Sequence, residues 1–179
     1  YELKGCKDEY YWFGTDTLGR DLFTRFCQGT RISLIVAVVS ALLDLIIGVS
    51  YGLISGYYGG RVDFTMQRIT EVVNGIPSLV VVSLLVVAME PGLASIIVAM
   101  GISGWIGMSR LVRANTLRLK ESEHIMASRT LGTRTSVILF REIFPNLLSS
   151  VIVMAMMSVP GAIFMESFLS FVGLGIPAP

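Results

Sequence analysis

From Ile32 to Tyr58 the chain reads ISLIVAVVSALLDLIIGVSYGLISGYY, apolar or small at nearly every position and interrupted by one charge, Asp44. A half-buried strand would alternate, and a surface helix would repeat its apolar positions every three to four residues. A stretch that is apolar all round and longer than the roughly 20 residues needed to cross about 30 Å of hydrocarbon predicts a membrane span instead. Three further runs fit the same template: ITEVVNGIPSLVVVSLLVVAM (69–89), GLASIIVAMGISGWIGM (92–108) and LLSSVIVMAMMSVPGAIFM (147–165). The second is fully apolar only in its latter half, so Glu71 and Asn74 are expected to face protein. Glu90 and Pro91 alone separate the second run from the third, which makes those two spans antiparallel neighbours.

Composition sharpens this picture. With 53% apolar residues, 15% charged residues and a mean hydropathy of +0.71, the chain has too little charge to cover the surface of a soluble domain of 179 residues. The net charge of +1 calls for neither nucleic acid nor an acidic partner. Placement of the charges is more informative. Four spans put Arg61, Arg68, Arg110, Arg113, Arg118, Lys120, Arg129, Arg134 and Arg141 on one side. Lys4, Lys7, Arg20, Arg25 and Arg31 fall on the other, beside five acids in the same segment. By the excess of Lys and Arg on cytoplasmic loops, residues 109–146 are cytoplasmic and the amphipathic lead-in 1–31 is extracytoplasmic. The abrupt charged start and the ending GLGIPAP suggest an excerpt of a longer chain, lacking its first and last spans, in which 32–179 is the membrane core.

Gly48, Gly52, Gly56 and Gly60 recur at every fourth position, the spacing that lets a second backbone approach one helix face. Gly101, Gly104 and Gly107 around Trp105 are a weaker sign of the same packing. Asp44 stands among LLDLII, where an Asp at a helix centre costs about 2.5–3.5 kcal/mol of insertion energy. Its neighbours can offset that cost, so it is either paired with a partner helix or lines a pathway. Glu166, at the end of its run beside SFLSFVGLG, is either an interfacial anchor or a water-accessible gate. Cys6 and Cys27 both fall on the outer side and are read as free thiols, since their spacing alone fixes no disulfide. Met154, Met156 and Met157 are read as filling irregular gaps between helices.

Between the last two spans lies a polar insert, EHIMASRTLGTRTSVILFREIFPN. Glu121, Ser122 and Glu123 supply helix-start residues, Ile125, Ala127 and Leu131 carry the helix, and Gly132 offers a left-handed stop. A second helix follows, capped by Thr135 or Ser136, with Val137, Ile138, Phe140 and Phe144 as its apolar positions and Pro145 expected to end it. The result is an elbow too well capped and too apolar on one side for a solvated linker, and a protein partner accounts for it. A DNA-reading helix-turn-helix is excluded, because a recognition helix cannot enter a major groove while spans flank it a few residues away.

Read as MAS-RTL-G-TRTSVILFRE-IFP, this insert resembles the cytoplasmic loop of the inner-membrane permeases of binding-protein-dependent ABC importers. That loop opens Glu-Ala-Ala, continues through a Gly and closes Ile-x-Leu-Pro. Ala127, Gly132 and Pro145 match, while Met126, Ser128 and Phe144 stand where the pattern has Glu, Ala and Leu. The likeness extends through FGTDTLGRDLFTRFCQGTRISL, GLISGYYGGRVDFTMQR, SRLVRANTLRLKE and ESFLSFVGLGIPAP. Together these are similar to the C-type permeases of oligopeptide and dipeptide importers, most of all the oligopeptide group, through MQRITEVVNGIP and FMESFLSFVGLG. A nickel-importing relative shares much of the pattern.

The resemblance implies an all-α polytopic bundle, the core of a type I ABC importer permease, with the elbow as its cytoplasmic coupling helix. It implies a bacterial or archaeal cytoplasmic membrane and several partners: a second, B-type permease, two cytoplasmic ATPases carrying ATP and magnesium, an extracytoplasmic binding protein and a peptide. Ala127, Ser128, Leu131, Gly132 and Pro145 are the expected docking positions, with Arg129, Arg134, Arg141 and Glu142 as polar contacts. The residues themselves give no enzyme. There is no Gly-x4-Gly-Lys-Ser/Thr loop and no cluster at metal-ligand spacing, and His124, the one histidine, sits among charges. The alternative from a different class is an ion- or proton-coupled carrier using Asp44 and Glu166, which would need the acids and not the elbow.

Overall fold

The computed structural model describes residues 11–89 and 92–175. Residue contacts divide the chain into two units, Tyr1–Ile35 and Val36–Pro179. In the first, the sequence TDTLGRD closes on its own carboxylates. Asp16 accepts from the amides of Leu18 and Arg20 at 2.9 and 2.8 Å and from the guanidinium groups of Arg20 and Arg25 at 3.1 and 2.7 Å. Those donors, the Arg20 amide first, hold the Asp16 carboxyl down at about 2. Asp21 accepts from the amides of Phe23 and Thr24, both at 3.1 Å, and from the Thr24 hydroxyl at 2.6 Å. This is a helix N-cap, and it starts helix α1 (Leu22–Tyr58) well before Ile32. The lead-in is therefore partly helical, because a good cap and residues free of proline extend the apolar run backwards. Cys27 is exposed on it, and Cys6 lies outside the described residues.

In the second unit, Gly59 and Gly60 take φ of 63° and 54°, a left-handed pair that turns the chain from α1 into α2 (Gly60–Gly75). Pro77 then forces Ile76 into extended backbone, φ −87° and ψ 123°, and α3 (Ser78–Met89) leaves at a bend of 75°. The run expected as one span at 69–89 is thus two helices, broken by that proline. Helices α4 (Leu93–Ser103) and α5 (Trp105–Leu119) continue each other past the expected end at 108, since Arg110, Arg113 and Arg118 alternate with good helix formers and do not open a loop. Next come α6 (Glu123–Thr130), the single turn α7 (Thr135–Val137), a π-helical stretch Ile138–Ile143, and α8 (Phe144–Phe171).

Leu22–Tyr58, Leu93–Leu119 and Thr135–Phe171 are long and apolar enough to cross a membrane, and α2 with α3 would make a bent fourth span. Two apolar clusters hold the second unit. One joins Val36, Val82, Val86, Ile96, Ala99 and Leu169; the other gathers Val49, Leu53, Met108, Val112, Ile125, Ile138, Ile143, Leu147 and Val151. Large apolar side chains such as Leu84, Val87, Met156, Phe164 and Phe171 point outward. That arrangement is unfavourable in water and natural where the surroundings are themselves apolar.

Candidate functional site

The insert between α5 and α8 is a built element. Ser122 holds the extended N-cap backbone of α6, φ −71° and ψ 147°, though its hydroxyl donates backwards to the Leu119 carbonyl at 2.5 Å. At the other end Gly132 adopts φ +78°, its amide bonding the Arg129 carbonyl and that of Thr133 the Ser128 carbonyl, both at 3.1 Å. This pair of bonds is the Schellman closure, and the left-handed residue it needs is the reason for glycine here. Neither Thr135 nor Ser136 caps the second helix: Arg134 occupies the cap in extended backbone and Thr135 is already helical.

Pro145 does not end that helix. It has no N–H for the ladder, and in an α turn its ring would strike the carbonyl four residues back. Residues 138–143 widen to a π turn, the Phe144 amide reaching the Leu139 carbonyl five residues earlier, and the chain runs straight into α8 with Pro145 in the first turn. Sequence reading took the proline as a stop; the wider turn is how it is accommodated. Asn146 closes the region by donating to the Glu142 carbonyl at 2.6 Å.

The elbow has two faces. Ile125, Ile138, Leu139 and Ile143 are buried in the cluster shared with α1, α5 and α8. Facing outward are Met126, Ala127, Arg129, Leu131, Gly132, Arg134, Phe140, Arg141 and Pro145, with Ser128 and Glu142 half-buried at the margin. Leu131, at the turn, is 87% exposed. The outward side thus carries an apolar side chain at the turn and three exposed arginines, on a base packed into the apolar cluster.

Next to the elbow, the α1 glycines lie directly against α5, with room for no side chain of their own. A Cβ added at Gly48 would lie 2.8 Å from the Trp105 carbonyl, at Gly52 2.6 Å from that of Ser109, and at Gly56 2.9 Å from that of Arg113. Each glycine faces the next turn of α5, so the four-residue spacing is matched on both helices. Gly60 is a correction: it opens α2 with nothing within 4 Å of an added Cβ, because the chain has already turned at Gly59. The α4–α5 glycines face different partners, Gly101 toward Leu43, Gly104 against Asp44 and Gly107 toward Met154.

Asp44 presses its carboxylate on the Gly104 backbone, and its Oδ1 is buried without a hydrogen-bond donor among the described residues. Glu166 is buried on α8 and accepts from the Ser170 hydroxyl at 3.1 Å. Met154 packs against the elbow's cluster, whereas Met156 and Met157 are exposed.

One group escaped sequence reading. Arg113 of α5 makes a two-pronged contact with Asp63 of α2, Nε to Oδ1 and Nη2 to Oδ2, both at 2.5 Å. Ser55 of α1 donates to Asp63 Oδ1 at 2.5 Å, Gln67 donates to Ser55 at 3.3 Å, and Lys120 donates to the Gly56 carbonyl at 3.0 Å. Arg113 and Lys120 read as topogenic charges because their partners are 50 and 64 residues away.

The class is an all-helical membrane protein with a capped polar elbow rooted between its spans. Residues 48–179 match the family described as binding-protein-dependent transport system inner membrane component, and the chain belongs to that family. It is 54% identical over 169 residues to the dipeptide transport system permease protein DppC of Bacillus subtilis (strain 168), covering 94% of this chain and 53% of that protein. The oligopeptide transport system permease protein OppC of the same organism is 52% identical over 169 residues, covering 94% of this chain and 55% of that protein. The chain therefore spans about half the length of the curated relatives it matches. Its fold is also that of a chain in a solved structure of the MetNI methionine ABC transporter in inward facing conformations. The TM-score is 0.72 at 19% identity, covering 84% of this chain and 76% of that one.

Proposed function

We propose that the chain is the membrane-spanning part of a permease subunit in an ATP-driven peptide importer, and that its 121–146 elbow is where a cytoplasmic ATPase docks. The observation that carries this reading is the elbow's construction: an exposed Leu131 at the turn, with Arg129, Arg134 and Arg141 also exposed along the insert, held by the Gly132 closure on a base of buried isoleucines. A surface so anchored moves the helices beneath it when it is moved, which is what coupling between distant sites requires. In this reading 109–146 is cytoplasmic in a multi-pass protein of the bacterial or archaeal inner membrane. A second, B-type permease completes the pathway, and an extracytoplasmic binding protein delivers peptide. ATP and magnesium belong to the two partner ATPases, and the chain itself catalyses nothing. Peptide as substrate is supported by the names of both relatives, which lend nothing to the nickel importer or to a carrier driven by ions through Asp44 and Glu166.

Crosslinking tests it. With Arg129→Cys placed in the full-length permease and its ATPase co-expressed in native membranes, a bifunctional thiol reagent is expected to join the two subunits in a yield that changes with nucleotide. Absence of any crosslink from the inserted protein, with the ATPase present, would remove the elbow as the docking site.

A further inference from the structure

The contacts around α2 differ in kind from those around its neighbours. Along Gly48, Gly52 and Gly56 the α1 backbone lies directly against carbonyls and side chains of α5, so neither helix can shift without the other. The elbow shares its apolar cluster with Val49 and Leu53 of α1 and Met108 and Val112 of α5, so those helices follow it. By contrast α2 buries only Thr70 and leaves Val62, Phe64, Ile69 and Val72 exposed. Its link to α1 is the left-handed pair Gly59 and Gly60, a turn that does little to fix the helix direction. What holds α2 in place is polar. Both carboxylate oxygens of Asp63 engage Arg113, Ser55 adds a third bond, and the Tyr51 hydroxyl donates to the Met66 carbonyl at 2.7 Å.

We infer that the Asp63–Arg113 fork is the positioning contact that carries movement of the elbow, through α5, into α2 and the bent α2–α3 pair. This rests on the coupling role proposed above. A two-pronged guanidinium–carboxylate contact fixes orientation as well as distance, unlike a single bond or a lysine contact. Because apolar packing of α2 is sparse, the fork decides whether α2 turns with α5 or lags behind it. Both residues act through the helices they join and need not touch the transported molecule.

The test uses the complete importer in proteoliposomes, with binding protein and a labelled peptide, measuring uptake and ATP hydrolysis on the same vesicles. For Asp63→Asn the amount of peptide moved per ATP is expected to fall about tenfold, within the range usual for coupling between distant sites. Complex yield and basal hydrolysis should stay near wild type. The exchange pair Asp63→Arg with Arg113→Asp should recover most of the lost ratio, since the fork is re-formed in reverse. An unchanged ratio in Asp63→Asn would overturn the inference. So would a parallel loss of yield, hydrolysis and uptake that the exchange pair does not repair, because the fork would then only staple the fold. If the wild-type assembly fails to couple hydrolysis to uptake, the functional reading itself falls, and the inference with it.

Discussion

Replacing Gly132 by proline should abolish uptake while leaving the protein inserted in the membrane. Gly132 sits at φ +78°, which the proline ring forbids, and its amide bonds the Arg129 carbonyl, a donor that proline lacks. The residue before a proline is also driven out of helical backbone, so Leu131, now at φ −75° and ψ 1°, would be redirected together with its exposed side chain. Losses of about 3 kcal/mol or more lower the population of the native elbow by about a hundredfold. Asparagine, which tolerates left-handed backbone, should retain most activity at the same position. Labelled-peptide uptake, with insertion checked by immunoblot of membranes, gives the answer. Normal uptake by inserted Gly132→Pro would end the elbow's claim to a coupling role.

A second substitution should act on folding itself. In Gly52→Leu the new Cβ would lie 2.6 Å from the Ser109 carbonyl and 2.7 Å from the Val112 Cβ. One of those obstacles is backbone, so no rotamer change relieves it and the two helices must part. Overfilling a packed site costs about 1–3 kcal/mol. The cost here should lie at or above the top of that range, because Gly48 and Gly56 lose their contacts when the seam opens. The fraction of detergent-solubilised protein that elutes as a folded species should drop sharply. Gly161→Ala is the comparison: nothing lies within 4 Å of its added Cβ, and alanine is favoured over glycine in a helix by about 1 kcal/mol. Equal recovery of the two variants would mean that α1 and α5 do not depend on this approach.

Legibility followed the range of the interaction. The seam of Gly48, Gly52 and Gly56 could be read from spacing, because close approach in a membrane leaves a periodic trace of small residues. The Gly132 closure could be read as well, since a helix stop is decided within a few residues. Gly60 had the right period and the wrong place, because a turn one residue earlier removes it from the helix face. Pro77 and Pro145 look alike in sequence but act differently. The first breaks a run into two helices, and the second is absorbed by a widened turn that no local rule foresees. Beyond reach altogether was the Asp63–Arg113 fork, because pairing across 50 residues depends on how α2 and α5 are brought side by side.

The π-helical stretch at 138–143 carries one residue more than an α ladder over the same rise would hold. Successive residues of an α-helix are about 100° apart around its axis, so that surplus residue sets the azimuth at which α6 and Leu131 leave α8. The length of this segment therefore works as a dial. A chain one residue shorter here could keep every cap and every buried isoleucine type and still aim its apex about a quarter turn away from its present direction.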